Sequence, residues 1–258
     1  MEIILAIILI SLLGGIISGL YGGGSGLVYV PGFYYVIHSL GGSDVYAMQS
    51  AIVSTISVSC FLGMVASARQ FSLKQVDTEV IKKTLWIFTI GGVIGILIST
   101  SVNSGVLKYF FAVIVLYIAY RQFKSKSGNI KVLSSTPAKL FWGMITGLLV
   151  CLSGVAMFIV PYYLKNGIAL KKAIGTATVT VLCYSVISSS IYILFSFHLD
   201  QLPNYSFGLL NYYIFFIGII PSAIGGFIGA SLTAVFSEKL LHTMYIVLLI
   251  IVSITMLL

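Results

Sequence analysis

The sequence predicts an all-α membrane protein: a polytopic helix bundle of two inverted-topology repeats, with about eight to ten transmembrane segments including two broken or re-entrant helical hairpins. Three observations predict it. The 258 residues are 59% hydrophobic and only 8% charged, against the roughly 25% charged content of a soluble domain. Apolar runs of about 20 residues, the length that crosses ~30 Å of hydrocarbon, recur from end to end. The two halves also repeat each other's motifs in the same order.

The chain opens on a long apolar stretch, residues 3–37, interrupted by glycines. Its first run, residues 3–13, carries Glu2 ahead of it and lacks the basic residues and small-residue cleavage pattern of a secretory signal, so it is read as part of the membrane domain. Spans follow at residues 46–68, 83–100 and 107–123. A short polar linker, residues 125–138, with Gly128, Ser134, Ser135 and Pro137, separates a first repeat, 1–124, from a second, 139–258. The second repeat has a matching Gly-interrupted stretch at 139–164 and spans at 173–197, 207–234 and 240–258.

Residue correspondences support the duplication. Gly15, Ser18, Gly19 and Leu20 align with Gly143, Thr146, Gly147 and Leu148, and Ser25-Gly26 with Ser153-Gly154 at the same offset. Pro31 answers to Pro161. The run from Ala47 through Ser50, Ala51 and Val53 resembles that from Ala173 through Thr176, Ala177 and Val179, and Gly91-Gly92 with Gly95 resembles Gly225-Gly226 with Gly229.

Charge sets the orientation. The net charge of +8 sits in short loops between apolar runs, which is the positive-inside pattern and not the patch of a nucleic-acid-binding protein. Placing Arg69, Lys74, Lys82, Lys83, the linker cations and Lys165, Lys171 and Lys172 in the cytoplasm leaves Lys108 near the outer face and puts both termini outside. Each Gly-interrupted stretch must then enter and leave on one side. Reading 139–164 as a single full span would instead put Lys165, Lys171 and Lys172 outside, against the charge rule.

Helix breaks within a bilayer expose backbone groups, tolerated only where they face protein or water. Four glycines in five positions, Gly22, Gly23, Gly24 and Gly26 around Ser25, exceed what close packing needs, each weakening a helix by up to ~1 kcal/mol relative to Ala. A helix starting there would offer backbone N–H groups and a positive dipole end to an anion, with Ser25 as a further donor. Ser153 and Gly154 are expected to do the same from the other repeat. Gln49, Ser50 and Ser54, with Thr176, Thr178 and Thr180, follow the hairpins and are the next candidates for a polar lining, although hydroxyls in membrane helices often bond only to their own backbone. For Gly91, Gly92, Gly95, Gly225, Gly226 and Gly229 close helix packing is the expected role.

The absences narrow the chemistry. No span carries an internal Asp or Glu, the usual mark of a proton relay, and His38, His198 and His242 fall near span ends. Cys60, Cys151 and Cys183 lie in apolar segments without metal-ligand spacing. The glycine run lacks a GK[ST] ending, so no nucleotide site is indicated. No nucleophile–base pair suggests an enzyme, and no cofactor is implied.

With these motifs the chain resembles the sulfite exporter TauE/SafE family. The residues that carry the resemblance are Gly15, Ser18, Gly19, Leu20, the Gly22–Gly26 run ending at Pro31, Ala47, Ser50 and Ala51, echoed by Thr146, Gly147, Leu148, Ser153, Gly154, Pro161, Lys172, Thr176, Gly225 and Gly226. The resemblance implies an inner-membrane carrier of small sulfur-containing anions such as sulfite or sulfonates. Val150, Cys151 and Leu152 stand where the first half has glycines, so strict symmetry of the site is not expected. A channel would need a continuous polar lining, which these spans lack. The partners expected are a small anion and the lipid bilayer; nucleic acid is not among them, and a homo-oligomer is compatible with the pattern.

Overall fold

A computed structural model describes residues 1–21, 23–41, 43–124, 135–232 and 238–257. Among these the chain forms ten α-helices: α1 (Glu2–Tyr21), α2 (Gly26–Leu40), α3 (Ala47–Ser72), α4 (Thr78–Ser101), α5 (Ser104–Lys124), α6 (Thr136–Ser153), α7 (Ile159–Lys165), α8 (Leu170–Ser196), α9 (Tyr212–Leu232) and α10 (Glu238–Leu257). A single 3₁₀ turn, Ala156–Phe158, precedes α7, and a minimal antiparallel ladder of β1 (Ser206–Phe207) and β2 (Leu210–Asn211) precedes α9. Among the described residues six helices are long and apolar enough to cross a membrane: α1, α3, α4, α6, α8 and α9. The expected linker begins after α5, but its last residues belong to α6, which starts at Thr136; residues 125–134 lie outside the described ones.

The two interrupted stretches are hairpins. Gly14 of α1 lies against Tyr29 of α2 and Gly32 of α2 against Ile10 of α1, so the helices run antiparallel. In the second hairpin Tyr162 of α7 reaches back to the Lys139 carbonyl at 3.2 Å and lies against Gly143. Pro31 is accommodated inside α2 and Pro161 in the first turn of α7, where the missing N–H is least disruptive.

Helix directions follow from contacts. Leu12 and Ile16 of α1 face Gly225 and Gly229 of α9, and Met144 and Leu148 of α6 face Gly91 and Gly95 of α4, so both pairs are parallel. α3 and α8 cross antiparallel, with Gly63 against Leu182 and the Ser57 and Ser189 hydroxyls 2.7 Å apart. α3 is the central element: 67% of its apolar span is buried against protein, compared with 28% to 44% for the other five. It is also polar, with Gln49, Ser50, Ser54, Thr55, Ser57, Ser59 and Ser67 all buried.

The bundle has two unlike ends. At one, Asn204 bonds to the Leu40 and Gly41 carbonyls, Tyr35 to the Thr255 carbonyl, and Lys108 lies over the Tyr34 ring. His38 and Asp44 pair there at 2.8 Å. At the other, Gln75 packs on Gly175, Asp77 pairs with Lys172, and Lys165 stacks on Trp142. Lys74, Lys82, Lys83, Lys139 and Lys171 belong to this second, basic end by their places in the helices.

Candidate functional site

The two helix breaks meet. α1 ends at Tyr21 and α2 begins at Gly26; Gly23, at φ +130°, adopts backbone that a side chain rarely allows. The first turn of α2 is tightened by Leu27 N–H donating to the Gly24 carbonyl and Val28 and Tyr29 N–H donating to the Ser25 carbonyl, which places the positive end of the helix at Gly24–Gly26. Opposite it, α6 closes on Gly154 in the left-handed conformation (φ +67°), its N–H returning to the Val150 carbonyl at 2.8 Å. Gly26 packs directly on the Gly154 carbonyl and Val155, and Gly23 on Ala156.

Ser153 and Gly154 are therefore a helix C-terminus. The Ser153 hydroxyl donates to the Leu149 carbonyl and accepts from Val155 N–H. The positive end of α2 faces a carbonyl of the other hairpin instead of a second N–H array, because the hairpin turn that follows Gly154 leads only into the 3₁₀ turn and the seven-residue α7.

Side chains of α3 complete this junction. Ser25 and Ser59 hydroxyls lie 3.1 Å apart, both buried. Ser59 is midway along the 26-residue α3, and Ile52, two turns earlier, lies against Gly154. The junction thus sits against the middle of the central helix.

The structure does not bring every sequence candidate to that place. Gly23, Gly24, Ser25, Gly26, Ser153 and Gly154 are together; Gly22 lies outside the described residues. Gln49 is at the first end, where its Nε2 donates to the Ser99 and Val102 carbonyls at 3.0 and 2.8 Å and so caps the C-terminus of α4. Ser50 is buried beside it without a hydrogen-bond partner for its hydroxyl. Thr176 is at the basic end, accepting from Asp77 N–H at 3.0 Å. α3 and α8 run in opposite directions, so their first turns lie at opposite faces. Sequence reasoning missed Thr55, Ser57 and Ser59, although five hydroxyls within Ser50 to Ser59 of an apolar helix signal a polar strip.

Each end carries a latch of the same design. Asp77 caps α4 through Val80 N–H and donates its own N–H to Thr176 of α8. Asn211 caps α9 through Ile214 N–H and donates its own N–H to Ser54 of α3 at 3.1 Å. Only the first is charged: the Lys172 ammonium, 2.8 Å away and hydrogen-bonded to the Asp77 carboxylate, together with Val80 N–H, holds that carboxyl below its ordinary range. A depressed carboxyl stabilises the folded form above its unfolded-state pKa, and that contribution is lost as pH falls through the folded pKa. Lys172→Met is accordingly expected to lower the thermal midpoint near neutral pH and to converge with the native protein as acid protonates the Asp77 carboxyl. Equal midpoints at neutral pH would show that the pair contributes nothing.

The sulfite exporter TauE/SafE family profile matches residues 7–256. The chain belongs to the sulfite exporter TauE/SafE family. A probable membrane transporter protein of Haemophilus influenzae (strain ATCC 51907 / DSM 11121 / KW20 / Rd) is 25% identical over 261 aligned positions, covering 98% of this chain and 97% of the relative. No solved structure matches significantly. As a TauE/SafE protein with six apolar helices of spanning length, the chain is a multi-pass membrane transporter.

Proposed function

We propose that this protein is a secondary carrier for a small anion, with sulfite, a sulfonate or a related organosulfur compound as substrate, and that it works by alternating access of two inverted repeats in the inner cell membrane. The observation that carries the reading is the meeting of both helix breaks against the middle of α3, with a capped helix start hydrogen-bonded to a neighbouring helix at each end. Discontinuous helices at mid-depth are how many carriers present backbone groups to a substrate.

Inversion is supported by exchange of the halves. Swapping each helix for its counterpart turns the parallel pair α1/α9 into the parallel pair α6/α4, and returns the antiparallel crossing of α3 and α8 to itself. The Asp77 and Asn211 caps exchange in the same way, at opposite ends. Sidedness follows from the lysines: the basic end faces the cytoplasm and both termini face outward.

Substrate contact is assigned to Gly22, Gly23, Gly24, Ser25 and Gly26, with Ser153 and Gly154 across the junction. Gln49 and Ser50 line the outer approach and Thr176 the inner one. A helix end contributes only ~0.3–2 kcal/mol to an anion, so affinity in the micromolar to millimolar range is expected.

Liposomes preloaded with sulfite and containing the purified protein should take up radiolabelled sulfite by saturable counterflow. Flux linear in concentration, without counterflow, would sink the carrier reading. Reporter fusions at the linker and at Leu258 check the sidedness: a cytoplasm-active reporter that works at Leu258 and not at the linker overturns it.

A further inference from the structure

Ile52, Thr55, Ser59, Leu62, Ala66 and Arg69 follow one another at intervals of three and four, so they form a single stripe along α3. Contacts fix where the stripe points. Ile52 touches Gly154, Ser59 bonds to Ser25, and Leu62 touches Gly226 of α9. Beyond that point Leu62, Val65, Ala66, Arg69 and Ser72, with Gly226 and Phe227, line a groove of about 240 Å³ that runs to the last turn of α3. Arg69 is exposed, and among the described residues no carboxylate pairs with it.

Thr55 is the odd member. It is fully buried, and its hydroxyl has no hydrogen-bond partner. Its neighbours one turn either way, Ile52 and Ser59, both touch the junction, so Thr55 lies on the face turned toward the first turn of α2. A donor buried on that face without a partner leaves one hydrogen bond open to a ligand. Ser57, off the stripe, shows the ordinary alternative by bonding back to the Val53 carbonyl at 2.8 Å.

We propose that this stripe is the anion's route through the basic half of the protein, with Arg69 drawing the anion into the groove and Thr55 and Ser59 donating hydrogen bonds to it one to two turns beyond Leu62, where the groove stops, beside the positive end of α2. The proposal rests on the carrier reading above and assigns residues and charge selectivity within it. When substrate arrives, the Ser25–Ser59 bond opens and each hydroxyl turns to an anion oxygen, replacing its hydration shell. No cation stands among these donors. A singly charged headgroup such as a sulfonate is therefore favoured over the sulfate dianion, whose desolvation neutral donors compensate less well. The field of Arg69 acts in water-exposed surroundings and is screened over ~10 Å at 0.1 M salt.

Sulfite counterflow in liposomes tests this with Thr55→Val, Thr55→Ser, Arg69→Gln and Ser67→Ala, each checked for its thermal midpoint. Thr55→Val is expected to raise KM by about tenfold or more, the usual effect of removing a hydrogen bond to a charged group, with an unchanged or higher midpoint. Thr55→Ser keeps the hydroxyl and should restore the native KM. Arg69→Gln should raise KM several-fold at low salt and converge with the native protein at high salt. Ser67→Ala removes another buried, unpartnered hydroxyl of α3 that lies off the stripe and should change nothing. Methanesulfonate should compete better than sulfate. A native KM in Thr55→Val overturns the Thr55 contact, and native behaviour of Arg69→Gln at low salt overturns the mouth. Sulfate competing better than methanesulfonate overturns the neutral-donor account. These results leave native counterflow, and so the carrier reading, intact; native protein without counterflow sinks both.

Discussion

Gly26→Ala is expected to cut sulfite counterflow at least tenfold in protein that still folds. The added methyl would fall on the Gly154 carbonyl and against Val155. These are backbone atoms, so no rotamer change can make room, and the two helix breaks must separate. Overpacking of this kind costs about 1–3 kcal/mol, which a large bundle survives. The junction does not survive it unchanged, because donors displaced by even ~1 Å lose most of their hold on a small ligand. Gly32→Ala is the matched control on the same helix: its methyl meets first the side chain of Ile10, at 2.7 Å, and a side chain, unlike a carbonyl, can shift. Turnover in Gly26→Ala should fall at least tenfold while Gly32→Ala transports normally. Equal turnover in the two variants would remove the junction from the transport cycle.

Much of the architecture was legible because lipid imposes a simple rule: apolar segments of spanning length must be helices. The breaks were legible too, since Gly22–Gly26 and the Gly154 region cannot continue a helix in an apolar solvent. Depth was not. Gln49 and Thr176 follow the hairpins in sequence, and nearness in sequence to a break suggested nearness in space. Gln49 instead occupies the first turn and Thr176 the second turn of long helices, 26 and 27 residues, and a helix that crosses the whole bundle begins at its face. The ladder before α9 was invisible because two residues per strand are too few for any alternation to register. Thr55 was hidden for another reason: in sequence it cannot be told from Ser57, and only packing shows that one hydroxyl is satisfied by its own helix and the other is not.

Gly91→Leu and Gly225→Leu are expected to destroy the fold, whereas Gly226→Ala should be repairable. The parallel pairs α4/α6 and α1/α9 approach so closely that their backbones touch: a methyl on Gly91 would fall on the Met144 carbonyl, and one on Gly147 on the Phe88 carbonyl. In the other pair, methyls on Gly225 and Gly229 would fall on the Leu12 and Ile16 carbonyls. Such contact is how helices associate in lipid, where apolar side chains gain nothing by leaving the bilayer for each other. A leucine there exceeds the ~1–3 kcal/mol of ordinary overpacking, and the monodisperse peak in detergent should disappear. Gly226 differs in one respect. Its added methyl meets a single side chain, Leu62, whose Cδ1 is the near atom. Gly226→Ala should therefore lower the thermal midpoint modestly, and Leu62→Ala added to it should recover part of the loss, while Leu12→Ala should do nothing for Gly225→Ala because the obstacle is a carbonyl. Rescue of Gly225→Ala by Leu12→Ala would show that side chains, and not touching backbones, set the α1/α9 distance.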